Sequence, residues 1–140
     1  MYDSTVTESS RFRVLVYSDD RDVRNAVIAA LGTRPHPELP TFEYVECATE
    51  PVVWQHLDEK RGRPDLVILD GEAAPAGGLC VARQMKDEIF QAPPVLVLTG
   101  RPQDAWLATW SRAEAAVSHP IDPLHLAEAV IGLARSVLTA

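Results

Sequence analysis

Short apolar runs alternate with stretches of helical periodicity along the whole chain. The first run, RVLVY at 13–17, is β-branched and nearly uninterrupted, the pattern of a strand buried on both faces. Ser18, Asp19 and Asp20 follow it, and each is able to cap a helix. Val23, Ala26, Val27, Ala30 and Leu31 then recur at helical spacing until Gly32 stops them. A proline-rich stretch, GTRPHPELP, leads to a second strand at 42–47. A helix at 50–60 sets Val53, Trp54 and Leu57 on one face. Pro64 precedes a third strand at 66–69, which ends on Asp70. Beyond the small-residue loop GEAAPAGG, a third helix is predicted from about 78 to 90 with Leu79, Ala82, Met85 and Ile89 in phase. Pro93 and Pro94 introduce a fourth strand at 95–98, closed by Thr99 and Gly100. A fourth helix at 103–112, a weak strand at 115–118 and a final helix at 123–138 complete the pattern. The last helix carries Leu124, Ala127, Val130, Ile131, Ala134 and Leu138 as an apolar stripe. Residues 1–10 are polar and read as a disordered leader.

Strands joined by helices must pair in parallel through right-handed crossovers. The expectation is therefore an α/β fold: one central parallel sheet with helices on both faces, occupying 11–138. Chemistry in such sheets gathers at the carboxyl ends of the strands.

Composition narrows the function classes. The chain has 140 residues, which is one domain's worth. Thirteen basic residues against 20 acidic ones leave a formal charge of −7, which argues against a nucleic-acid partner. No apolar run approaches the ~18 residues of a membrane span, and the acidic N-terminus lacks the apolar core of a signal peptide. A cytoplasmic location is expected by elimination. Cys47 and Cys80 have no metal or redox spacing and read as free, buried thiols.

The strand ends carry the candidate chemistry. They deliver Ser18, Asp19 and Asp20, then Asp70, then Thr99, then His119 followed by Pro120. Carboxylates and a hydroxyl at one mouth suit Mg²⁺, which takes a few carboxylates together with water and phosphate oxygens. A carboxylate beside the metal could accept a phosphoryl group in line. The bland alternative is that Asp19 and Asp20 only cap a helix and Asp70 only opens a loop. A dinucleotide fold is excluded because SDDRD lacks the glycines of its phosphate turn. A flavodoxin-type phosphate loop is excluded because adjacent carboxylates would repel the anion, and there is no Walker lysine motif.

RVLVYSDDRDVR, PDLVILDGEAAPAGG, PPVLVLTGR and VSHPIDP, in this order and spacing, resemble the receiver domain of bacterial response regulators. The resemblance implies a flavodoxin-like three-layer α/β/α sandwich with strand order 2-1-3-4-5. It implies that Asp70 accepts a phosphoryl group from a histidine kinase or other phosphodonor. It implies Mg²⁺ on Asp19, Asp70 and the backbone carbonyl of Glu72, with Thr99 bonding the phosphoryl oxygen. Gly78 fits the glycine that opens the third helix, and Pro120 the usual cis proline.

The chain also departs from that pattern. Ser18 stands where the first carboxylate of the acidic pair belongs, lowering the site's formal charge from about −3 to −2 and weakening Mg²⁺. His119 replaces the family's lysine. Losing a charge-assisted bond costs ~1.5–3 kcal/mol, roughly 10- to 150-fold. Neither Lys60 nor Lys86 is placed to substitute. Ala116 replaces the aromatic switch residue, and Ala73-Ala74 the usual Met-Pro. The expectation is an atypical receiver, not an ordinary enzyme, that stands alone without an output domain and signals by contact with a separate protein. The alternative is a receiver-like docking module that works without phosphate. Trp106 and Trp110, at i and i+4, are candidate partner anchors, against core packing for at least one of them. Trp54 reads as core, and His36, His56 and His125 as surface or satisfied residues. An exposed fourth-helix face would favour a homodimer.

Overall fold

The computed structural model describes residues 11–59, 62–74 and 76–139. The expected leader at 1–10 and Lys60 lie outside them. The elements run β1 (Arg11–Tyr17), α1 (Arg21–Leu31), β2 (Thr41–Cys47), α2 (Glu50–Leu57), β3 (Leu66–Asp70), α3 (Gly78–Glu88), β4 (Val95–Thr99), a 3-10 turn (Pro102–Asp104), α4 (Leu107–Ser111), β5 (Ala115–Ser118) and α5 (Pro123–Thr139). All strand pairs are parallel, and the sheet order is β2-β1-β3-β4-β5, the order that the resemblance implied.

The two central strands explain their composition. Every residue of β3 (LVILD) and β4 (VLVLT) is buried, because helices cover both sheet faces. Alternate residues feed separate cores. Val14, Val16, Ile68, Leu96 and Leu98 pack with Val27 and Leu31 of α1 and Leu126, Val130 and Ala134 of α5. Leu15, Tyr17, Val67, Leu69, Val95 and Val97 pack with Val53 and Leu57 of α2 and Val81, Ala82 and Met85 of α3.

The main difference from the sequence expectation is at the fourth helix. The segment 103–112 is not one helix but a 3-10 turn followed by five α-helical residues, ended by Arg112 at φ 65°. Pro102 tightens the start, no side chain caps α4, and Thr109 and Trp110 are weak helix formers. The third helix also stops early: Ile89 is already extended, with φ −106° and ψ 120°. α1 does end at Gly32, whose φ is 66°.

The surface overturns the expectation for Cys80, closes the core alternative for the two fourth-helix tryptophans and leaves Trp54 only partly in the core. Cys47 is buried, but Cys80 is exposed, because it falls on the outer face of α3. Trp106 and Trp110 are both exposed, at 65% and 41%, so neither is a core residue. Trp54 is half-buried, and its indole N–H donates to Glu50 at 3.0 Å. No helix among the described residues is long and apolar enough to cross a membrane.

Candidate functional site at the carboxyl edge of the sheet

Register assembles the site. The β1–β3 ladder aligns Tyr17 with Leu69, so the next step sets Ser18 beside Asp70. Neighbouring residues of a parallel ladder point to the same face. The Ser18 hydroxyl accordingly donates to Oδ2 of Asp70 at 2.7 Å. Both residues are buried, at 0% and 2% exposure. The other oxygen, Oδ1, accepts the Glu72 N–H at 3.0 Å and lies 3.2 Å from Nε2 of His119. His119 arrives there because its own N–H donates to the Thr99 carbonyl at 2.8 Å, which ties the end of β5 to the end of β4. The His119–Pro120 peptide is cis.

The two neighbouring aspartates divide the capping and site roles that sequence left open. Asp20 is the N-cap of α1: its carboxylate accepts the Asp22 N–H at 2.8 Å. Asp19 turns toward the loop after β3, and its Oδ1 accepts the Ala74 N–H at 3.2 Å. A cleft of about 270 Å³ opens between them, lined by Asp19, Asp20, Val23, Asp70, Glu72 and His119. Four of its six lining residues are acidic and one is a histidine.

The remaining residues sit around this cleft. Gly78 opens α3 directly over β3, where a Cβ would stand 2.6 Å from the Asp70 carbonyl oxygen, so only glycine fits without a shift. Thr99 is buried but does not line the cleft; its hydroxyl donates to the Arg101 carbonyl at 3.4 Å. It lies one residue beyond Leu98, the ladder partner of Asp70. Lys86 is engaged elsewhere, 2.7 Å from Glu114. Trp106 and Trp110 stand apart from the cleft, and the Arg83 guanidinium lies 5.0 Å from the Trp110 ring centroid.

The residues fit Mg²⁺ in their chemistry. The donor set that the resemblance implied, the carboxylates of Asp19 and Asp70 with the Glu72 carbonyl, is all oxygen, all three residues line the cleft, and the open cleft leaves room for water. Among the described residues no group of three His, Cys, Asp or Glu side chains is placed to hold a metal ion by itself, so water would have to complete the coordination of Mg²⁺ here.

Two contacts had no signal in sequence. One is the Ser18 hydroxyl on Asp70. The other is Tyr17, whose phenol donates to the Ala76 carbonyl at 2.6 Å. Burial first, then Glu50, Asp19 and Asp70, push the Tyr17 phenol above its ordinary pKa and keep it a donor. Register explains both contacts, and register is a property of the folded sheet.

A doubly wound 2-1-3-4-5 sheet with an aspartate at the end of its middle strand and an acidic cleft beside it defines a receiver-type domain. The fold is similar to a CheY-like receiver domain protein from Methanospirillum hungatei JF-1, with TM-score 0.70, 17% identity, and coverage of 93% of this chain and 98% of that one. A receiver domain protein from Clostridium thermocellum superposes with TM-score 0.72 at 21% identity, covering 92% and 99%. No protein-family model matches the chain. An "Uncharacterized response regulatory protein" of Mycobacterium tuberculosis H37Rv is 56% identical over 128 residues, 91% of this chain and 95% of that protein. The chain belongs to the response regulator family, and its fold is that of the receiver domain through which this family takes part in two-component signalling.

Proposed function

We propose that this receiver takes a phosphoryl group on Asp70 and passes the signal on by protein contact. The observation that carries the reading is the setting of Asp70. Its carboxylate ends the middle strand, is anchored by Ser18, and opens on a cleft shared with Asp19 and His119. A carboxylate oxygen of Asp70 attacks the phosphorus of a phosphohistidine donor. The P–O bond forms as the P–N bond breaks, and the imidazole leaves with the electron pair. Mg²⁺, when bound, supplies positive charge to the phosphoryl oxygens, and Asp19, Asp70 and the Glu72 carbonyl would hold it. His119, 3.2 Å from Asp70, would donate to a phosphoryl oxygen, and the Thr99 hydroxyl would have to leave the Arg101 carbonyl to do the same. The protein is the acceptor of the group and turns over no second substrate. Phosphorylation adds roughly −1.5 to −2 charges beside the β4–α4 segment, and exposed Trp106 and Trp110 are the anchors offered to a cytoplasmic protein partner or a second copy.

Beryllofluoride with Mg²⁺, or a small phosphodonor, tests the first step. An adduct on the wild type and none on Asp70→Asn is expected. Identical behaviour of the two proteins would sink it.

A second reading, docking without phosphate, has one observation in its favour. The Ser18 hydroxyl gives the buried Asp70 carboxylate a neutral partner. Partner capture that survives Asp70→Asn but is lost in the Trp106→Ala, Trp110→Ala double variant would favour it.

A further inference from the structure

The described residues between Asp70 and α3, 71–74 and 76–77, form an arch beside the cleft with three anchors. Its near end rests on Asp70: the Ala73 N–H donates to the Asp70 carbonyl at 3.1 Å and the Glu72 N–H to Oδ1 at 3.0 Å. Its middle rests on Asp19, through the Ala74 N–H. Its far end rests on Tyr17, through the Ala76 carbonyl, one residue before Gly77 caps α3.

We infer that Tyr17 is a positioning residue for the metal-binding side of the cleft: its phenol fixes the far end of the arch, and so holds Glu72 and the Asp19 contact in place beside Asp70. This inference rests on the Mg²⁺ reading proposed above. The ring and the hydroxyl have separable parts in it. The ring is 1% exposed and packs in the core between the sheet and α2 and α3. The hydroxyl bridges residues 59 apart in sequence, from the strand that carries Asp19 to the loop that carries Glu72. Asp19 accepts from Ala74 of the same arch, so both residues of this β1 end are tied to it.

Tyr17→Phe removes the bond and keeps the ring. Tyr44→Phe is the matched control, because Tyr44 also donates to a backbone carbonyl, that of Gly32, at 2.6 Å, and Tyr44 does not line the cleft. Mg²⁺ dissociation constants would be measured by calorimetry, and melting temperatures in EDTA. Tyr17→Phe should weaken Mg²⁺ by about 2- to 10-fold, the equivalent of one hydrogen bond, while Tyr44→Phe leaves Mg²⁺ binding unchanged. Comparable melting of the two variants in EDTA would show that the metal effect is not general loosening. Wild-type binding with an unchanged constant in Tyr17→Phe, or an equal loss in Tyr44→Phe, overturns the inference alone. No Mg²⁺ binding by the wild type overturns the metal reading itself, and this inference with it.

Discussion

The Ser18 hydroxyl is bonded to the Asp70 carboxylate at 2.7 Å, in full burial, where the family pattern would set a second carboxylate. A neutral donor there does something a carboxylate cannot. It satisfies Asp70 without a counter-ion, because a hydroxyl donates whereas two carboxylates side by side repel. On the Mg²⁺ reading proposed above, the serine trades metal affinity for stability of the site without metal.

Restoring the carboxylate should reverse that exchange. Ser18→Asp is expected to bind Mg²⁺ more tightly than the wild type and to melt at a lower temperature in EDTA, with the loss recovered in excess Mg²⁺. Ser18→Ala should destabilise by about 1–3 kcal/mol with or without metal, since it leaves a buried carboxylate oxygen short of its donor. Melting curves of the three proteins, with and without Mg²⁺, check both statements.

His119 holds the place of a fixed cation at 3.2 Å from Asp70. His119→Lys supplies that charge permanently, and it should speed phosphoryl uptake from a small donor by roughly 10-fold or more, as a charge-assisted bond is stronger by about 1.5 kcal/mol. His119→Ala should slow it. Rates at constant pH and saturating Mg²⁺ decide the matter. Equal rates in the three proteins would remove His119 from the reaction.

Two glycines should respond oppositely to the same substitution. A Cβ at Gly78 meets the Asp70 carbonyl oxygen at 2.6 Å, and backbone lies on that side, so Gly78→Ala is expected to cost about 1–3 kcal/mol or more and to disturb the acceptor. Gly132 lies inside α5 with nothing within 4 Å of a Cβ. Gly132→Ala should stabilise by about 0.5–1 kcal/mol. Denaturant titrations give both values.

The two thiols should behave differently. Cys80 is exposed and should react with a thiol reagent in the folded protein, whereas Cys47 should react only on unfolding. Burial pushes the Cys47 thiol up to about 11, against a smaller opposing pull from Arg24. Between its ordinary value of 9.0 and about 11 the folded state keeps a proton that the unfolded chain has lost, so stability falls as pH rises through that window. Cys47→Ala should flatten this part of the pH profile, as followed by denaturant midpoints.

Sequence by itself determined the layered fold and the location of the chemistry. Hydrophobic periodicity is a local property, and RVLVY, LVILD and VLVLT, short and β-branched, read as strands covered on both faces. Parallel crossovers then force every strand's carboxyl end to one edge, so Asp19, Asp70, Thr99 and His119 were legible as neighbours before any coordinate. The failure at 103–112 has a local cause as well: helical spacing was present, but Pro102, the missing cap and two weak helix formers outweighed it over so short a span. Tertiary structure alone decided which side chains meet. Whether Ser18 reaches Asp70, whether Tyr17 reaches Ala76, and which of Asp19 and Asp20 caps α1 all depend on strand register and loop path, which bring together residues more than fifty positions apart. Exposure of Trp106, Trp110 and Cys80 was decided the same way, since a helical stripe shows that one face is apolar without showing which residues the neighbouring element leaves uncovered.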